Sequence, residues 1–279
     1  MGRMLAFLYG VGAYIVFLGT FLYTIGFVGN FGVPKSIDAI PDQSFGHAFL
    51  VNFSLLGVFA LQHSLMARPA FKRWWTRFLP SPVKRSTYVL FSSLALLLLF
   101  WQWQPMGGVI WNVEPPIGRR LLYAGFAFGW SLVLVATFLI NHCDLFGLRQ
   151  VYLYLRGKEY TSLKFATPGP YTLVRHPLYV GWFFAFWATP RMTIAHLLFA
   201  LLTTAYILIA IQLEERDLLV AHGQTYAEYR RRVPMLIPRF FVAQRIPRKT
   251  TGSHTPDRGG ERGHAHHRAQ PNDGHTRSY

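Results

Sequence analysis

The sequence predicts an all-α, polytopic integral-membrane bundle of about five to six transmembrane helices, closed by a C-terminal helical hairpin. Three observations predict it. The 279 residues are 52% hydrophobic and only 14% charged, well under the roughly 25% of a soluble domain, and mean hydropathy is positive at +0.23. Six apolar segments follow one another near 5–29, 46–66, 87–104, 119–141, 178–189 and 192–213, and about 20 apolar residues cross a bilayer as helix. Lys and Arg are unevenly shared between the connecting loops.

That last pattern decides how to read the formal charge of +16. In a soluble chain it would point to nucleic acid. Here Arg68, Lys72, Arg73, Arg77, Lys84 and Arg85 fall in one loop, and Arg149, Arg156, Lys158, Lys164 and Arg175 in another. The alternate loops carry only Lys35, Arg119, Arg120 and Arg191. The bias predicts cytoplasmic basic loops and two cytoplasmic termini in a cell membrane, with lipid and no nucleic acid as partner. Nothing calls for an obligate protein partner. A single cysteine, Cys143, excludes an internal disulfide framework and any multi-cysteine metal site. It reads as a small buried hydrophobe.

Taken in order, the first segment is too long for a signal peptide and stays as a helix. Gly2 is followed by Ala6 where a myristoylation signal needs Ser or Thr. Trp74-Trp75 among basic residues reads as an interfacial belt. The fifth segment is short, because twelve residues rise only about 18 Å against a hydrocarbon core of ~30 Å. Either Pro177 is recessed within the membrane or the Thr189-Pro190 turn is recessed from the far side; a recessed Pro177 is preferred, because it makes a pocket open to the cytoplasm. The sixth helix is expected to run on to Ala221-His222 with Gly223 as its cap. Thr225–Glu228 has the form of a capping box for a short basic helix that Pro234 ends. Residues 1–241 form the membrane domain. Residues 242–279, polar and rich in Gly, Arg and His, are expected to be disordered, and their histidines to be solvated rather than metal-bound.

Chemistry concentrates in the C-terminal third. Pro177 suits the first position of a helix, which leaves His176 near the N-cap. The free N–H groups there make a ready anion site, with interfacial anchoring of Arg175 and His176 as the plainer alternative. Gly181 permits close approach to the backbone. Glu214 and Glu215, at the same end of the hairpin, oppose the helix dipole; they fit a cationic ligand, or else a salt bridge to Arg216, Arg230 or Arg231. With the aromatic faces of Tyr171, Tyr179 and Trp182, the set suits a zwitterion with a positive centre such as S-adenosylmethionine. His63, His142 and His176 fall at span ends of the same parity. They read as a pocket wall; a metal site or three separately satisfied histidines are the other readings, and no metal is expected.

Gly169-Pro170-Tyr171, Arg175-His176-Pro177-Leu178-Tyr179-Val180-Gly181, Glu214-Glu215-Arg216 and Arg232-Val233-Pro234 resemble, in order and spacing, the signature of the isoprenylcysteine carboxyl methyltransferase superfamily of integral-membrane methyltransferases. The match covers about 168–238. Gly26–Asn30, Val33–Asp38, Gln62–Pro69 and Asn141–Gln150 resemble more narrowly the bacterial methanethiol S-methyltransferases of the NnrU-like branch; there Cys143 replaces an aromatic residue. The resemblance implies methyl transfer from S-adenosylmethionine to a small thiol. It implies a donor pocket of His176, Pro177, Leu178, Tyr179, Gly181, Glu214 and Glu215. For the acceptor side the candidates are Arg175, His63 and His142. Related readings are a lipid or prenyl-cysteine acceptor, a sterol-reductase-like enzyme, or a non-enzymatic accessory protein.

Overall fold

The computed structural model describes residues 2–239. The proposed tail, 242–279, lies outside the described residues. In chain order the elements are α1 (Arg3–Gly29), α2 (Phe45–Ala67), α3 (Pro69–Trp75), α4 (Lys84–Gln102), β1 (Val109–Asn112), α5 (Pro116–Ile140), α6 (His142–Leu145), α7 (Leu148–Leu155), α8 (Pro177–Trp187), β2 (Arg191–Thr193) and α9 (Ile194–Arg232). Single 3-10 turns precede α4 and α8.

Five helices, α1, α2, α4 with its preceding turn, α5 and α9, are long and apolar enough to cross a membrane. Their outward faces carry exposed Leu5, Ile15, Leu22, Leu50, Leu61, Ile117, Leu121, Phe138 and Ile209, a surface that only lipid makes favourable. Polar residues within the spans satisfy themselves locally. Thr20, Thr24, Thr87, Ser93 and Thr203 each donate to the carbonyl four residues earlier, so these five hydroxyls are not stranded in hydrocarbon. The chain is a multi-pass membrane protein.

The loops alternate between two ends. At one end residues 30–44, 103–115 and 188–193 meet: Trp103 donates to the Ile37 carbonyl, Thr193 to Asp38, and Trp111 to the Thr189 carbonyl. At the other, Ser86 donates to the Gly147 carbonyl and Arg68 faces Asp217 at 3.6 Å. Three loops at one end and two at the other require six traverses, of which α8 is a short one. Its 11 residues rise about 16 Å, half the core.

How α8 makes do with that length differs from the expected recess at Pro177. A side chain at Gly129 would strike the Ala185 nitrogen at 2.5 Å and the Gly181 oxygen at 2.7 Å. One at Gly181 would strike the Gly129 oxygen at 2.8 Å and the Val133 nitrogen at 2.9 Å. Paired glycines thus bring α5 and α8 into backbone contact. Gly125, more than two turns into α5, faces Ala188 just beyond α8. The larger gap therefore lies at the Thr189–Pro190 turn, and Pro177 sits only about a turn inside the end of α5. An antiparallel β1–β2 ribbon, announced by no residue pattern, fills that gap. Val113 donates to the Pro190 carbonyl at 2.8 Å and the Trp111 indole to that of Thr189 at 3.1 Å, so the two carbonyls of this turn are satisfied.

Gly223 breaks α9 at φ 51°, ψ −125°, as expected of that glycine, and the helix resumes until Arg232. Glu228 pairs with Arg232 instead of closing a box on Thr225. Cys143 is exposed, against the expectation of burial. It lies on a one-turn helix whose neighbours His142 and Phe146 take the inward positions.

Two outcomes test this architecture. Gly181→Val should lower thermal stability in detergent by about 1–3 kcal/mol or prevent accumulation, because the clash is with backbone; Gly12→Ala, whose new carbon meets nothing within 4 Å, should be neutral. Asp38 accepts hydrogen bonds from Thr193 and Asn30 and lies 3.6 Å from His196. Burial alone would raise its pKa, but His196, Thr193 and Asn30 outweigh it and hold the carboxyl below its ordinary value. Such a depression stabilises above the unfolded pKa and is lost as pH falls through the folded one. The melting temperature should therefore drop below pH ~4, and Asp38→Asn should flatten that part of the profile.

Candidate active site

The 3-10 turn Gly169–Thr172 leads into Arg175-His176, and α8 begins at Pro177 with His176 as N-cap (φ −127°). The chain after α9 returns beside it. Arg175 N–H donates to the Pro234 carbonyl at 2.8 Å and His176 N–H to the Met235 carbonyl at 3.2 Å. Proline at 177 brings no N–H to the first turn, and these two bonds settle the donors just before it.

Glu215 sits at the centre. Its Oε1 accepts from Arg175 Nε at 2.7 Å and from His176 Nε2 at 3.1 Å, and its Oε2 lies 3.3 Å from Arg230 Nε. A carboxylate only accepts, so Nε2 of His176 carries the hydrogen. Arg175 also donates to the carbonyls of Arg230 and Val233. The side chains of Arg175, His176 and Glu215 are all at least nine-tenths buried. The anion beside the α8 N-terminus is thus the protein's own Glu215, and the Arg230 pair weighed from sequence is present. Nor do the two glutamates end a helix, since α9 continues past them to Gly223. Their partners, not the dipole, account for them.

Glu214 is different. It accepts one hydrogen bond, from Tyr179 at 3.0 Å, faces His176 Nδ1 at 3.9 Å, and keeps 46% of its side chain exposed. The buried hydroxyls of Tyr171 and Tyr226 have no hydrogen-bond partner among the described residues, and both feel the Glu214 charge. Burial pushes the Tyr171 phenol above its ordinary range. Unpaired buried phenols beside a half-open carboxylate are what a polar ligand would satisfy.

Other expected residues are distributed around this core. Leu178 begins α8 just after Pro177. Gly181 faces helix α5, so the group that approaches its backbone is Gly129. Trp182 stacks on Phe186 and packs edge-on to Trp130, which commits its ring to the core. His63 bonds Tyr88 and Ser92. Tyr88 and Tyr206 in turn lie near enough to Tyr179 to interact electrostatically. His142 bonds Tyr14 and Thr137 and stacks on Phe138 at 4.3 Å; burial depresses its pKa, which favours the neutral ring. The three histidines therefore share no hydrogen-bond partner. Among the described residues no group of three or more His, Cys, Asp or Glu is placed to hold a metal.

Sequence reasoning missed Tyr88, Tyr206 and Arg68. Arg68 Nε is buried without a hydrogen-bond partner among the described residues, and its charge reaches both tyrosines. A polar side chain inside an apolar span was the available signal.

The chain is 61% identical over 238 residues, 85% of its length, to a methanethiol S-methyltransferase of Crocosphaera subtropica, of which 93% is covered. The chain belongs to the methanethiol S-methyltransferase family. A second methanethiol S-methyltransferase, from Mycobacterium tuberculosis, is 57% identical over 85% of this chain and 98% of its own. Nurim of Mus musculus is more distant, 31% identical over 77% of this chain and 87% of nurim. No family model and no solved structure matches the chain. The narrower resemblance read from the motifs is therefore the correct one, and the membrane methyltransferase reading holds for the enzyme class.

The geometry separates two adjacent acids. Glu215→Gln leaves Arg175, His176 and Arg230 around a neutral group and should cost about 3–5 kcal/mol, as for one member of a buried ion pair. Glu214→Gln should change stability by less than ~1 kcal/mol. Thermal unfolding of the two purified variants decides.

Proposed function

We propose that this protein transfers the methyl group of S-adenosylmethionine to methanethiol, releasing dimethyl sulfide and S-adenosylhomocysteine. The observation that carries the reading is the 61% identity, over nearly the whole membrane domain, to a protein named for that acceptor. The reaction is set at the cytoplasmic face of a bacterial inner membrane, with both termini cytoplasmic. The support is that the basic loops holding Arg68–Arg85 and Arg149–Arg175 share the end at which His176 and Glu215 meet. Residues 1–241 are the catalytic membrane domain, with its donor-binding part at 168–238.

The donor supplies an electrophilic methyl on a sulfonium and carries an ammonium and ribose hydroxyls. Glu214 has spare acceptor capacity for those groups, and Tyr171, Tyr179 and Tyr226 offer phenols and aromatic faces beside it. His176 and Pro177 fix the wall at the α8 N-terminus, and Leu178 continues it. Gly181 positions that wall from behind by seating α8 on α5, and Glu215 holds Arg175 and His176 in place. Arg175 acts through this tie, and its positive charge favours the anion that forms on the acceptor. A free thiol is mostly protonated at neutral pH, so a base must take its proton. His63 is favoured for this over His142, because its partner Tyr88 lies near Tyr179. Displacement at a methyl carbon then depends on alignment and on exclusion of water.

The test is expression in a host lacking the activity, with methanethiol fed and headspace dimethyl sulfide assayed. Wild type should produce it, and His176→Ala should reduce it at least tenfold with protein still in the membrane. Membrane-inserted wild type without dimethyl sulfide would reject methanethiol as acceptor and favour a larger, lipid-like one.

A further inference from the structure

His63 has no open nitrogen. Its Nε2 is 2.8 Å from the Tyr88 hydroxyl and its Nδ1 is 3.1 Å from Ser92 Oγ. One ring face is stacked on Phe59 at 5.3 Å, and Tyr206 meets the ring edge-on at 6.4 Å. Tyr206 is fixed in turn by Ser64, whose hydroxyl donates to it at 3.2 Å. A substrate can exchange a proton with this imidazole only through one of the two hydroxyls. Ser92 is buried. Tyr88 is only half-buried, and Tyr206, which meets the same imidazole, lies on α9 about two turns before Glu214.

We infer that Tyr88 is the catalytic residue that meets the acceptor thiol and relays its proton to His63. With hydrogen on Nδ1 donated to Ser92, Nε2 accepts from Tyr88. As the sulfur attacks the methyl carbon, the S–H bond breaks and its proton passes to the Tyr88 oxygen. The Tyr88 proton passes to His63 Nε2 in the same event. The carbon–sulfur bond of the donor breaks with its electron pair left on the donor sulfur, which becomes a neutral thioether. The positive charge that began on the sulfonium ends on His63, to be lost to water after product leaves. Tyr88 thus ends each turnover unchanged, and Ser92 is a positioning residue that holds the imidazole in the accepting tautomer.

The inference rests on the methyl-transfer reading above. Tyr88→Phe keeps the ring and removes the relay. At neutral pH its kcat should fall about 10²–10³-fold, within the range of general base catalysis, with the KM for the donor unchanged. The deficit should shrink about tenfold per pH unit as the thiol ionises in solution without help. His63→Gln should show the same pH-dependent deficit, and the double variant should be no worse than either single one, because they remove one relay. Donor binding measured by calorimetry verifies that each variant is folded. Activity of Tyr88→Phe within threefold of wild type, or a deficit independent of pH, overturns the relay. Should Tyr88→Phe fail to accumulate, a pH-independent deficit in His63→Gln overturns it equally. Wild type that never methylates a thiol sinks the functional reading itself, whereas an active wild type with an unaffected Tyr88→Phe sinks only the relay.

Discussion

One buried carboxylate organises the working end of this protein. Glu215 is drawn from a long helix into contact with Arg175, His176 and Arg230, three cations or potential cations from two other parts of the chain. An unpaired charge at that depth would be costly, so the three partners and the carboxylate must arrive together. Arg175 extends the tie to two backbone carbonyls and the main chain to two more. With the polar groups of this junction satisfied internally, Glu214, one residue away, remains half-open for a ligand. The division of labour between neighbouring acids comes from where α9 points them.

The second constraint is the short α8. A half-length helix in a bilayer needs a firm seat and a way to finish its polar backbone. Gly129 and Gly181 provide the seat by letting two backbones touch, and the β1–β2 ribbon finishes the traverse. The seat serves the site, because it fixes α8 against α5 while the Pro234 and Met235 carbonyls hold the main chain of Arg175 and His176.

Much of this was legible in the residues. Long apolar runs have few alternatives to spanning helix, so the five long helices and the alternation of loops follow directly from length and basic bias. Pro177, His176 and Gly223 declare helix punctuation through restricted or permissive backbone, and the structure has them as the first residue, the N-cap and the break. What was not legible depends on contacts between distant segments. Nothing in Val109–Asn112 or Arg191–Thr193 announces a ribbon, since the pairing exists only because α8 is short. Gly181 signals a close approach without saying what approaches. Cys143 looks like a core residue by type, yet the inward places on its one-turn helix go to His142 and Phe146. The roles of Tyr88 and Tyr206 emerge only when α2, α4 and α9 are brought side by side.

The return of the chain after Gly223 has a consequence for biosynthesis. The carbonyls that receive Arg175 and His176 belong to residues 230–235, and Arg230 itself completes the ring around Glu215. A nascent chain that has inserted all six traverses still holds Arg175 and Glu215 with incomplete partners until those last residues leave the ribosome. The site therefore closes only after the last traverse has been made.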